Sequence, residues 1–410
     1  MDILGFFKNA VQSGLNALTG KIYRFFTLPK KPAFPLADRL LADAFRLDQI
    51  PSPTDQEKER ASFVAERLSV LNIPYIIDDT GNLLATLHSL NETTISRESL
   101  LVFTRLVSER WNPLESLGKL ELHHAKGAGL ADALGPAALL SVAEAYAEGR
   151  LACERDIYLF FSVHNFDDPV TDVFRIVSSG FRFIPAAAIG VSGFMLGFLT
   201  THTLGSYRAK LVVTTEDGQK AEANAVVSTL VDMTRHFQKA ADVFGPDLDL
   251  YFKRIEAQSS YNPTPAEGVL ELVLESGDRE TLETALENIK AVAETATYAA
   301  IKGSFYVIAS IPPGDPAQCK RLTGIVLKEM KDLKINVVEE AKPDPASFLS
   351  AMGIPAVSVG IASGREGLTV DTVEIASVEK GRLLLERILI QAGKIVTEQS
   401  EVKKGGLNGR

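Results

Sequence analysis

The chain has 410 residues, too long for one small module and enough for two or three domains at about 150 residues each. Apolar residues make up 46% and charged residues 23%, which excludes a disordered chain and predicts a sizeable core. With 43 Lys+Arg against 52 Asp+Glu the net charge is −9, so a nucleic-acid backbone is excluded as the main partner.

The first segment differs from the rest. From Met1 to Ala37 the charge is +4, leaving −13 for the remainder, and Leu4, Phe7, Val11, Leu15, Leu18, Ile22 and Phe25 step by three or four residues until Pro29 and Pro32. Residues 1–35 therefore read as a basic amphipathic helix and linker. Such a helix either makes peripheral membrane contact through residues 1–26, on anionic lipid, or packs on its own domain. It lacks the continuous apolar core of a secretory signal, so the chain is placed in the cytoplasm.

Further on, Thr54-x-x-Glu57 forms a capping box before a helix whose Ala61, Val64, Leu68 and Leu71 share a face. Strands are predicted at Tyr75–Ile77, Leu83–Leu87, Leu100–Thr104 and Asp156–Ser162, with a helix from about Gly135 to Ala147. The uncharged run Phe183–Tyr207 is divided by Pro185, Gly190, Gly193 and Gly197 into strand lengths, which argues against a spanning helix. From about Thr203 the order becomes β-α-β-β-α-β, with helices near Ala225–Phe244 and Glu280–Ala300, and the α/β pattern resumes at Ala317. The reading is an α/β protein: residues 36–202 and 316–400 form one mixed or parallel-sheet domain. Residues 203–315 form an inserted ferredoxin-like domain, and 401–410 a disordered tail.

Several phrases carry a resemblance. Leu47-Asp48-Gln49-Ile50-Pro51-Ser52-Pro53-Thr54, Asp78-Asp79-Thr80-Gly81-Asn82, Gly127-Ala128-Gly129-Leu130-Ala131-Asp132 and Ala351-Met352-Gly353-Ile354-Pro355-Ala356-Val357 stand in this order. Together the chain resembles the dizinc metallopeptidase family of acetylornithine deacetylase, aminoacylase, carboxypeptidase G and peptidase T, over roughly Leu36–Ala392. The resemblance implies a zinc-peptidase-like domain with a lid or dimerisation insert, a homodimer through that insert, and a peptide-like or amino-acid-derived ligand.

It also implies two zinc ions bridged by an aspartate, with histidine and carboxylate ligands and a glutamate base. Here most of those positions fail. The His-x-Asp position holds Arg105, Leu106 and Val107, the paired glutamates fall on Asn165 and Phe166, and the last histidine falls on Leu368. Of the metal-ligand positions Asp132 alone matches, and Arg105 is the candidate ion-pair partner for it. The expectation is a pseudoenzyme with no cofactor, binding a ligand or organising partners. The alternative is an active peptidase or amidohydrolase with a rebuilt zinc site drawn from Asp132, His123, His124, His164 and Asp167. A third reading is a membrane-surface scaffold. Cys153 and Cys319 show no disulfide or CxxC pattern and carry no assigned role.

Overall fold

The computed structural model describes residues 35–54, 56–89, 99–108, 118–152, 154–163, 185–215, 225–258, 267–297, 301–344 and 346–407. The N-terminal amphipathic helix, Cys153, His164 and Asp167 lie outside the described residues.

The chain enters through α1 (Pro35–Asp48) and α2 (Lys58–Val70), then β1 (Tyr75–Ile77), β2 (Leu83–Leu87) and β3 (Leu100–Arg105). A short hairpin, β4 (Lys119–Leu120) and β5 (His124–Gly127), leads into α3 (Leu130–Ala147), β6 (Ile157–Ser162), β7 (Ala187–Ser192) and β8 (Phe198–Thr215). The insert adds α4 (Ala225–Asp242), β9 (Asp249–Gln258), β10 (Glu267–Ser276), α5 (Arg279–Glu294) and β11 (Ile301–Ile311). The chain returns through α6 (Pro316–Asp332), β12 (Val338–Pro343), α7 (Ala346–Ala351), β13 (Ala356–Gly360), β14 (Gly364–Arg365), β15 (Asp371–Glu374) and α8 (Ile375–Leu407).

The main sheet runs β1-β2-β6-β3-β7-β13-β8, with β6, β3, β7 and β13 mutually parallel. Its central strands are covered on both faces, which is why they read as apolar runs rather than alternations. In β3, Leu100 and Val102 face the larger core, built with α1, α2, α3, α6 and α8, whereas Leu101 and Phe103 face a second layer containing α7. Arg105, the last residue of β3, emerges from this apolar packing at the carboxyl end of the strand.

The insert has its own core, formed by Leu211 and Val213 of β8, Leu230 and Phe237 of α4, Leu272 of β10 and Ile289 of α5. Its sheet order is β11-β8-β10-β9, all antiparallel, and its elements follow the order β-α-β-β-α-β.

Four features differ from the sequence reading. The division at residue 203 falls inside β8, whose first half pairs with β12 and whose second half pairs with β10 and β11. One strand thus pairs with both parts of the fold. The helix expected from Gly135 begins at Leu130, because its first-turn N–H groups are capped by carboxylates remote in sequence. A small sheet, β14-β15-β5-β4, was not predicted; its strands are too short to show a period. Lastly, α8 runs on through Leu407, into the tail read as unstructured. Among the described residues no helix is long and apolar enough to cross a membrane.

Candidate functional site

Parallel strands place sites at their carboxyl ends. Here the ends of β3, β7 and β13 and the first turn of α3 border a cleft of about 320 Å³. Phe103, Phe194 and Phe198 give it apolar walls, while Arg105, Lys342, Asp132 and Glu366 bring charge of both signs. Glycines keep it open. A side chain at Gly193 would overlap the Ala131 carbonyl of α3, and one at Gly190 would overlap the Ser358 hydroxyl.

Asp132 and Arg105 meet in this cleft. The guanidinium Nη2 of Arg105 lies 2.8 Å from Oδ1 of Asp132, and the aspartate side chain is 11% exposed against 43% for the arginine. Asp132 sits in the first turn of α3, and Arg105 is carried to it by the end of β3.

Behind this pair is a buried charge cluster that the sequence reading did not single out. Arg60 of α2 is 1% exposed; its Nε donates to the Ile50 carbonyl at 3.1 Å and its Nη1 to the Leu106 carbonyl at 3.0 Å. Burial lowers its pKa to about 10, against the pull of the Asp132 and Asp48 carboxylates, which favour the charged form. The available signal was an arginine four residues before Val64, inside the apolar stripe of α2. Asp48, at the end of α1, accepts the Gly129 N–H, and Asp371 of β15 accepts the Ala131 N–H at 3.0 Å. Three carboxylates thus converge on the first turn of α3.

Asp48 titrates unusually. It is 1% exposed, and its Oδ2 is buried without a hydrogen-bond partner. Burial raises its pKa to about 6, overcoming the opposing effect of the Gly129 N–H and Arg60. A carboxyl with a raised native pKa binds its proton more tightly when folded. Its contribution to stability is therefore full below the unfolded value near 3.8 and is lost as pH rises through about 6. The span corresponds to about 3 kcal/mol. Asp48→Asn is expected to raise the urea midpoint at pH 8 while leaving it nearly unchanged at pH 4. An equal effect at both pH values would contradict the assignment.

The other candidate residues are placed apart from the cleft. His123 and His124 lie at the β4–β5 hairpin and are exposed, and neither lines the cleft. Leu368 is fully exposed in the loop between β14 and β15. Cys319 is buried, its Sγ 3.4 Å from the Ser350 hydroxyl.

The residues fit a dinuclear metal centre poorly. Among the described residues no three His, Cys, Asp or Glu side chains converge as a ligand set. The Asp132 carboxylate is engaged by a guanidinium, whose positive charge opposes a dication at the same oxygen. Asp48 and Asp371 are turned to backbone N–H groups.

No family model and no curated protein matches this sequence. Solved structures do match. A tripeptidase from Staphylococcus aureus superposes with a TM-score of 0.67 at 16% identity, covering 87% of this chain and 99% of its own. The aminopeptidase PepT from Bacillus cereus gives 0.64 at 14% identity, covering 86% and 98%. A dinuclear metal-binding peptidase of the M20 family from Bacillus subtilis gives 0.61 at 13% identity, covering 88% and 99%. The fold is that of the M20 peptidases. The match spans nearly the whole of each neighbour.

Proposed function

We propose that this chain is a non-catalytic protein on the M20 peptidase fold that binds a peptide-like or amino-acid-derived ligand in the cleft at the end of β3. The observation that carries the reading is the Arg105–Asp132 ion pair, at 2.8 Å, in the cleft itself. A hydrolase on this fold needs an electrophile for the amide carbonyl and a base for the attacking water. Arg105 instead neutralises the acid that the resemblance would give to metal. Binding needs less, and the cleft keeps it: apolar walls, cations in Arg105 and Lys342, and anions in Asp132 and Glu366. Charges of both signs suit a ligand carrying an amine or amide next to a carboxylate.

The reading of an active enzyme with a rebuilt metal site is not favoured, because His123 and His124 stand outside the cleft. A homodimer through the insert belongs to the same proposal. The outer strands β9 and β11 expose Tyr251, Ile255, Tyr306 and Ile308, apolar surface that a second copy would cover.

Calorimetric titration with dipeptides and N-acyl amino acids, paired with hydrolysis assays on the same compounds in added zinc, tests the proposal. Binding without turnover, undiminished by chelator, is the expected result. Turnover that a chelator abolishes would overturn it.

A further inference from the structure

The first turn of α3 collects three carboxylates, Asp48, Asp132 and Asp371, from three separate parts of the chain. Each is 11% exposed or less at the side chain or residue level, so water contributes little to their solvation. Buried carboxylates on one helix turn need positive charge or N–H donors to remain. Two cations are present. Arg105 pairs with Asp132 from the cleft side, and Arg60 stands on the buried side, fixed by the carbonyls of Ile50 and Leu106. Leu106 directly follows Arg105, so both guanidinium groups are anchored at the same strand end. The N-terminus of α3 adds partial positive charge through the Gly129 and Ala131 N–H groups that Asp48 and Asp371 accept.

We infer that Arg105, seated on the same strand end as the buried Arg60, takes the place of metal charge at Asp132, so that the cleft assembles without metal and Asp132 is closed to divalent ions. Arg60 is the positioning residue, holding the strand end through the carbonyls of Ile50 and Leu106. Arg105 is the exchangeable member: 43% exposed at the cleft, it can be removed and its charge returned from solution. The inference rests on the non-catalytic reading for its consequence, but ligand binding and metal exclusion are read separately, so either can fail alone.

The test uses the full chain and zinc as the probe. For the wild-type protein, stoichiometric zinc and EDTA are each expected to leave the melting temperature unchanged. Arg105→Ala is expected to melt at least a few degrees lower, and guanidinium at millimolar concentration, but not zinc, is expected to restore part of the loss. That rescue is expected to vanish in Arg105→Ala combined with Asp132→Asn. A zinc-induced rise in the wild type that Asp132→Asn removes would overturn the inference, as would an Arg105→Ala variant as stable as the parent. Should Arg105→Ala not fold, the wild-type zinc titration against Asp132→Asn decides alone.

Discussion

Arg60→Ala is expected to cost about 3–5 kcal/mol, the range for removing one partner from a buried charge cluster. Arg60 is 1% exposed, and losing it leaves two kinds of debt. The Ile50 carbonyl loses the hydrogen bond it receives at 3.1 Å, whereas the Leu106 carbonyl keeps the Ser52 hydroxyl at 3.0 Å as a second donor. The larger effect is electrostatic, since the carboxylates of Asp48 and Asp132 lose the cation that faces them. Arg60→Met separates the two contributions, because it keeps apolar volume and removes charge. It is expected to cost nearly as much as the alanine. Combining Arg60→Met with Asp48→Asn should then recover part of the loss, since a buried cluster emptied of both signs costs less than one left unbalanced. Urea unfolding of the four proteins at pH 7.5 provides the cycle. Additive effects of the two substitutions would mean that Arg60 and Asp48 do not sense one another.

Legibility in the sequence followed the range of the forces involved. The apolar runs at Leu100–Thr104 and Asp156–Ser162 and the turn at Thr80-Gly81-Asn82 are local signals, and they marked the strands and hairpin correctly. Asp78 shows why: its carboxylate accepts the N–H groups of Thr80, Gly81 and Asn82, a network contained within five residues. The helices and strands between Ala225 and Ile311 were legible for a similar reason, because helix and strand periods alternate cleanly there. By contrast, the start of α3 depends on Asp48 and Asp371, which lie 81 and 240 residues from the groups they cap. Read locally, Gly135-Pro136 resembles a helix start, yet both residues are inside the helix.

The site was legible in part, through substitution rather than pattern. An arginine at a position where the resemblance calls for histidine, and an aspartate retained opposite it, pointed to the same place in the fold; the structure sets the two 2.8 Å apart. Arg60 escaped notice because a charge within an apolar stripe is easily read as the edge of the stripe. Its carbonyl partners, Ile50 and Leu106, become neighbours only once β3 is in the sheet.

Gly193→Ala is expected to destabilise by about 1–3 kcal/mol or more and to weaken ligand binding, although glycine-to-alanine changes often stabilise. The sign turns on what the new methyl meets. At Gly193 it would overlap the carbonyl oxygen of Ala131, with the Leu134 Cβ 3.0 Å away. Ala131 belongs to the backbone of α3's first turn, which cannot rotate aside as a side chain could. The turn must therefore move away from β7, taking Asp132 with it and lengthening the contact to Arg105. Gly324 supplies the control. It lies within α6, and a methyl there meets nothing within 4 Å. Gly324→Ala is expected to stabilise by about 1 kcal/mol through helix propensity alone. Thermal melts and ligand titrations on the two variants are therefore expected to move in opposite directions for stability, and to differ in binding only at Gly193. If Gly193→Ala binds ligand as the parent does, the register of α3 against β7 does not set the cleft.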